Sequence, residues 1–391
     1  MMTDSTFALV LTGGGARAAY QVGFLRYLAS RYPDFSPGIL TGVSAGGIIA
    51  TDLAARDGRF VDAVEELTEL WRGLRLQDVF YVNTAELSTR VARWGVRLMS
   101  GGALGTPHAR SLVDTSPLRR LLVRSLHARP DGTIPGLAAN LAGGRVDAVA
   151  LTASSYSTGQ SVTWVQRQEG CGLLTWEHPK HQRNAKSLGV DHVMASSALP
   201  FFFPAVQVEG AWYGDGGIRL TAPLAPAVHL GARKIIAVST RYPQSSAEGD
   251  CAAAHGYPPP AQVAGVLLNA IFLDLLDADA MRLTQINSLV DRLPHGSRGG
   301  LRHIDLLVLR PSQDLGRLAN EFEFTLPRSF RFLVRGLGSR EARSNDMLSL
   351  LMFQRDYIAR VIALGESDAA ARAADIDTFM ADEWRAMDTA S

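Results

Sequence analysis

The chain has 391 residues, more than one ordinary domain of about 100–200 residues needs, and enough for one large α/β domain with an appendage. Hydrophobic residues make up 47% and charged residues 20%, which excludes global disorder and provides for a sizeable core. The 39 basic and 38 acidic residues leave a formal net charge of +1, so nucleic acid is excluded as the leading partner.

Only Lys180, Lys186 and Lys234 are lysines, and arginine supplies the remaining positive charge. Two cysteines, Cys171 and Cys251, make no disulfide framework, and no C-x-x-C pair is present for zinc. No metal and no cofactor are expected, and the cysteine usage fits a reducing compartment. The N-terminus, Met-Met-Thr-Asp-Ser-Thr, lacks the basic n-region of a secretory signal. No apolar run reaches the roughly 18 residues of a membrane span. A cytoplasmic protein is expected, with peripheral contact at the inner face of the membrane as a further expectation. No oligomeric state is read from the sequence.

From Phe7 to Thr12 the chain reads FALVLT, a buried strand of the parallel-sheet kind ending in three glycines. A helical pattern follows Gly15 to about Tyr32, and Pro33 and Pro37 break it. A second strand, Gly38–Val43, runs into Ser44 and a small-residue helix reaching about Arg56. This strand–turn–helix repetition predicts a doubly wound α/β layer structure. Helices are predicted over Val61–Arg72, Thr84–Gly102, Pro117–Leu126 and Val190–Ala198. Strands are predicted over Val146–Ala153, Ser161–Gln166, Ala211–Tyr213 and Lys234–Ser239. In Thr84–Gly102, the stripe Leu87, Val91, Trp94 and Leu98 is flanked by Arg90, Arg93 and Arg97, a pattern shared by membrane-surface and core-packing helices.

Gln244–Pro260, with its Ser, Gly and triple Pro, is the expected boundary between a core at 6–243 and a mainly helical extension at 244–391. The extension is predicted to hold a long helix at about Gln262–Leu293 with two apolar faces, a late strand at His303–Leu309, and helix to Met387. It is expected to pack on the core.

Gly13-Gly14-Gly15-Ala16-Arg17 stands between a strand and a helix. Glycines there permit a tight turn and present consecutive N–H groups at a helix N-terminus, where anions bind. Gly13-x-Gly15-x-x-Ala18 also satisfies the dinucleotide fingerprint, but the second strand carries no acid for a ribose. It delivers Gly42-Val43-Ser44-Ala45-Gly46 instead, the G-x-S-x-G nucleophile elbow. The flanking glycines permit the sharp strand-to-helix turn that projects Ser44.

An activated serine needs a base. His192 and His229 read as structural residues, and His178 with His181 lacks a carboxylate partner at ligand spacing. Asp215, in Tyr213-Gly214-Asp215-Gly216-Gly217, fits either a proton acceptor or an Asp-Gly turn between strands.

Four motifs carry a resemblance: LTGGGARAAYQVGFL at Leu11–Leu25, GVSAG at Gly42–Gly46, ASSALPFFFP at Ala195–Pro204 and YGDGG at Tyr213–Gly217. In this order the chain resembles bacterial members of the patatin-like phospholipase family over about residues 6–240. Ser344–Gly365 resembles the tail of such members more loosely. The resemblance implies a three-layer α/β/α fold with a central, mostly parallel sheet. It implies a Ser-Asp dyad, Ser44 as nucleophile and Asp215 as proton acceptor, without histidine. It also implies an oxyanion hole from Gly13, Gly14 and Gly15 with Arg17 near it, an elbow flanked by Gly42 and Gly46, and an Asp-Gly motif completed by Gly216 and Gly217. Where the family has glycine directly after the basic residue, this chain has Ala18.

The expected activity is hydrolysis of a phospholipid or lysophospholipid acyl ester, with Leu199–Pro204 as a candidate acyl-channel wall. Arg17 has two readings, bracing the glycine loop or binding a lipid phosphate. An acyltransferase or acyl thioesterase using the same serine is the alternative activity. A nucleotide-binding or scaffold protein is the third reading, disfavoured by the intact elbow.

Overall fold

A computed structural model of the protein describes residues 4–81, 100, 111–168, 182–184, 187–200, 202–243, 263, 265–267, 275–327, 330–331 and 345–381. The predicted helix at Thr84–Gly102, the Gln244–Pro260 boundary, both cysteines, His178, His181 and Phe201 lie outside the described residues, apart from Ser100.

Nine strands form one mixed sheet among the described residues. They are β1 (Asp4–Leu11), β2 (Pro37–Val43), β3 (Ala148–Ser155), β4 (Ser161–Arg167), β5 (Gln182–Asn184), β6 (Val206–Val208), β7 (Ala211–Asp215), β8 (Lys234–Val238) and β9 (Asp305–Leu309). The main order is β5-β4-β3-β2-β1-β8-β9, and β7 pairs with both β3 and β6. The centre, from β3 through β9, is parallel. The pairs β3/β4, β3/β7 and β6/β7 are antiparallel.

Continuous apolar runs such as FALVL demand cover on both faces of the sheet. Along β1 the faces alternate: Phe7, Leu9 and Leu11 join one core, Ala8 and Val10 the other. On the first face lie α1 (Ala19–Arg31), α2 (Ala45–Ala55), α3 (Phe60–Gly73) and the short α4 (Leu76–Val79), followed by α5 (Ser116–Ser125), α6 (Pro135–Ala142) and α7 (Val190–Ser196). The opposite face is covered by α8 (Ala225–His229) and α9 (Leu275–Val290) through Leu224, Ala227, Leu230, Leu276, Ala280 and Leu283. The result is the expected three-layer α/β/α arrangement.

After β9 come α10 (Leu315–Glu321), α11 (Asp346–Leu351), α12 (Arg355–Ala371) and α13 (Ala373–Ala381). Two glycines let α12 lie close along α1. A Cβ on Gly23 would collide with the Ile362 carbonyl, and one on Gly365 with the Tyr20 carbonyl. Together with β9, these elements tie the late part of the chain into the sheet and its first-face layer.

Most predicted elements appear within a few residues of their expected bounds. The helix expected at Val190–Ala198 stops at Ser196, and Ser197 leaves the helical conformation with φ −107° and ψ 7°. Of the long helix expected at Gln262–Leu293, Leu275–Val290 is described as one helix. It buries one apolar face and leaves Met281, Ile286 and Leu289 exposed. The sequence reading lacked α4, α6, α8 and the strands β5 and β6, all eight residues or fewer in length.

Candidate active site

The site stands at the carboxyl ends of β1, β2, β3 and β7, where an open α/β sheet presents its loops. Ser44 follows β2 directly and precedes α2, with φ 56° and ψ −131°. This left-handed backbone is strained for a residue with a side chain, by about 1–3 kcal/mol, and persists because its surroundings hold it. The Ser44 amide donates to the Ser196 carbonyl at 3.1 Å and to the Ser196 hydroxyl at 3.0 Å. The Ser197 hydroxyl donates to the Ser44 carbonyl at 3.1 Å. A Cβ on Gly46 would collide with the Leu11 and Thr12 carbonyls, and one on Gly42 with the backbone of Gly46 and Gly47. Both elbow glycines are therefore required by close backbone approach.

Asp215 ends β7 and is fully buried. Its Oδ1 accepts the Gly217 amide at 2.9 Å, and its own amide donates to the Ala198 carbonyl at 2.8 Å. Its Oδ2 is buried without a hydrogen-bond partner. Burial pushes the Asp215 carboxyl up from 3.8 to about 7, against the opposing effects of the nearby Ser44 hydroxyl and the Gly217 amide. Ser44 is thus a neighbour of the carboxylate. A Cβ on Gly216 would strike the Thr152 carbonyl, and one on Gly214 the Tyr156 hydroxyl. The glycines around Asp215 let β7 press against β3 and against the ring that covers it.

Gly13 lies against the Ser44 side chain, with an added Cβ 3.1 Å from Ser44 Cβ. Gly14 has φ 152° and Gly15 φ 53°, conformations that favour glycine. The Gly13 carbonyl accepts the Thr240 hydroxyl at 2.8 Å, and the Gly14 carbonyl accepts the Arg17 amide at 3.0 Å. Among the described residues, the Gly14 and Gly15 amides donate no hydrogen bond. Ala18 has φ −64° and is buried in the 3-10 turn, so its methyl group is accommodated without strain.

Arg17 turns its Nε and Nη2 to Ser349 and Asp346 of α11, contacts of the kind the bracing reading of this side chain expects. His192 packs its ring edge-on against Trp164 and accepts the Gly189 amide at its Nδ1, 3.1 Å away. His229 ends α8 on the opposite face of the sheet.

A cavity of about 810 Å³, counting its open mouth, lies above Ser44. Gly14, Gly15, Ser44 and Ser197 stand at its floor, and its walls are almost wholly apolar, drawn from α3, α5, α11 and the segment after α7. Leu199 and Phe203 line it, in keeping with the acyl-channel expectation for Leu199–Pro204. The walls from α3 and α5 escaped the sequence reading, because an apolar stripe on a helix reads the same whether it faces core or cavity. Among the described residues no cluster of potential metal ligands occurs and no helix is long and apolar enough to cross a membrane.

A mostly parallel sheet with helices on both faces, and a strained serine in the turn between its second strand and the following helix, define an α/β protein. The chain belongs to the patatin-like phospholipase family, whose model matches residues 9–228, and that family places it among lipid-hydrolysing enzymes. Human GIVD cytosolic phospholipase A2 is similar over 96% of this chain and 60% of its own length, at 10% identity and a TM-score of 0.46. VipD from Legionella pneumophila is similar over 92% of this chain and 67% of its own, at 13% identity and a TM-score of 0.31. The type III effector ExoU of Pseudomonas aeruginosa is similar over 96% of this chain and 63% of its own, at 13% identity and a TM-score of 0.31. A comparison with curated proteins finds no match.

Proposed function

We propose that the chain cleaves a carboxylic ester of a phospholipid or lysophospholipid through an acyl-serine intermediate, with Ser44 as nucleophile and Asp215 as proton acceptor. The observation that carries this reading is the pairing at the cavity floor. A backbone-strained hydroxyl opens onto an apolar cavity, beside a buried carboxylate with one unpartnered oxygen.

In the first step the Ser44 Oγ attacks the ester carbonyl carbon while its proton passes to Asp215 Oδ2. The carbonyl oxygen becomes an oxyanion and is met by the Gly14 and Gly15 amides, the loop's unused donors. One such donor typically contributes about 3–4 kcal/mol of transition-state stabilisation. Collapse of the tetrahedral intermediate breaks the ester C–O bond, and the departing alcohol takes the proton from Asp215. Water then attacks the acyl-serine, Asp215 accepts its proton, and the fatty acid leaves as Ser44 regains a hydrogen. A carboxylate near pH 7 suits both proton transfers, because it is basic enough to accept and acidic enough to return the proton. The acyl chain lies along the apolar walls, and Arg17 takes no part in contacting it.

The test is fatty-acid release from phospholipid and lysophospholipid vesicles by the wild type, Ser44→Ala and Asp215→Asn. The reading expects release by the wild type and a loss of at least about a thousandfold in both variants with the fold retained. Undiminished release by Ser44→Ala overturns it. Acyl transfer to an added alcohol in place of free acid would favour the transferase alternative.

A further inference from the structure

Glycine loops present amides but do not fix them. With no Cβ at residues 13, 14 and 15, nothing intrinsic selects one orientation of the peptide planes, and preorganised donors are what an oxyanion needs. The rigidity must come from outside the loop. Thr240 supplies part of it through the Gly13 carbonyl.

The rest comes from α11, more than three hundred residues away in sequence. Arg17 is buried, and its guanidinium spans the gap. Its Nε donates to Ser349 Oγ at 2.6 Å, and its Nη2 donates to the Asp346 carbonyl at 3.1 Å and to Asp346 Oδ1 at 2.5 Å. Ser349 Oγ donates in turn to the Asp346 carbonyl at 2.7 Å. Asn345 caps the helix by accepting the Leu348 amide at 3.1 Å, which fixes the turn that carries Asp346. Gly15 sits directly on the Leu350 carbonyl, with no space for a Cβ. Leu350 and Leu351 of the same helix then line the cavity, with Phe353 just beyond. One six-residue helix therefore braces the back of the loop and forms a wall of the cavity.

We propose that Asp346 and Ser349 are positioning residues for ester cleavage, holding the Gly13–Gly15 loop through Arg17 so that its amides face the reacting carbonyl. The proposal rests on the hydrolase reading above and extends the active site to α11. It also explains why the side chain after the loop is an arginine. A planar guanidinium meets two partners at once, with Nε and Nη2 on different residues, whereas an ammonium offers a single point of charge.

The test uses the full chain, a soluble acyl ester and a fluorophosphonate probe whose adduct forms on Ser44. Asp346→Asn, Ser349→Ala and Asp346→Glu are compared with the wild type for kcat, KM, phosphonylation rate and Tm. Misplacing donors by about 1 Å costs roughly a hundredfold. Asp346→Asn and Ser349→Ala are therefore expected to lower kcat and phosphonylation rate together, about ten- to hundredfold, with KM within about twofold. Asp346→Glu should recover part of the loss. A merely structural clamp would lower Tm and leave kcat per labelled site at the wild-type value, and that result overturns the proposal. If Asp346→Asn does not fold, Ser349→Ala alone decides by the same criterion. Ser44→Ala separates the two readings: turnover retained there sinks the hydrolase assignment. An inactive Ser44→Ala beside Asp346→Asn and Ser349→Ala at wild-type rates sinks only the role of α11.

Discussion

Ser196 accepts the Ser44 amide with two oxygens, its carbonyl at 3.1 Å and its hydroxyl at 3.0 Å. The hydroxyl also donates to the Thr152 carbonyl at 2.7 Å, so one buried side chain links the elbow to β3 and α7. Ser196→Ala keeps the carbonyl acceptor and loses both hydroxyl bonds. We expect a stability loss of about 1–3 kcal/mol and a severalfold fall in kcat, read from a urea midpoint and from initial rates on a soluble ester.

The pH dependence of hydrolysis follows from Asp215. Its carboxyl must be ionised to accept the Ser44 proton, and burial pushes it up to about 7. The rate kcat/KM should therefore fall about tenfold for each pH step below 7 and level off above it. Initial rates on an uncharged ester between about pH 5 and 9 check this. A plateau extending down to pH 5 would speak against Asp215 as the base.

The same burial has a consequence for stability with the opposite slope. Between the ordinary value of 3.8 and about 7, the native state holds a proton that the unfolded state has released. Stability therefore falls as pH rises through this window, and the penalty is fully present above about 7. Asp215→Asn removes the ionisation and can keep the Gly217 amide bond. It should be inactive yet more stable than the wild type at pH 8, by an amount on the order of 2–4 kcal/mol. That advantage should shrink toward zero near pH 4, as urea midpoints at the two pH values would reveal.

Chain-length preference should be set by the apolar walls. Leu121 on α5 lines the cavity and is only partly buried, so a larger ring there projects into the cavity without disturbing the sheet. Leu121→Trp should lower kcat/KM for long acyl esters roughly tenfold or more while sparing short ones, since each buried methylene contributes about 0.8 kcal/mol. A series of p-nitrophenyl esters measures it. Equal loss at all lengths would place the acyl chain elsewhere.

The part of the site legible in the sequence is the part made by short-range chemistry. Gly42 and Gly46 announce the elbow because a strand-to-helix turn needs them within five residues, and Gly13–Gly15 announces a loop for the same reason. Asp215 could be singled out by its glycines, but its role stayed open because burial, which decides its chemistry, is a tertiary property. The sheet order was not legible. The insertion of β1 between β2 and β8, and the attachment of β9 beside β8, are settled by contacts more than two hundred residues apart in sequence for the first of these pairings. Arg17 illustrates the limit best. Nothing local distinguishes an arginine facing a substrate phosphate from one facing Asp346, and the partner lies 329 positions away. The Ser196 and Ser197 hydroxyls lie within ASSALPFFFP, yet only the folded chain brings them onto the Ser44 backbone.

The most direct trial of the account is mass-spectrometric mapping of a fluorophosphonate adduct on the native protein, with its formation rate followed from pH 5 to 9. The account predicts a single adduct on the peptide bearing Ser44, forming with a midpoint near pH 7 set by Asp215 and lost in Asp215→Asn that remains folded. An unlabelled Ser44 in protein that still releases fatty acid would contradict it.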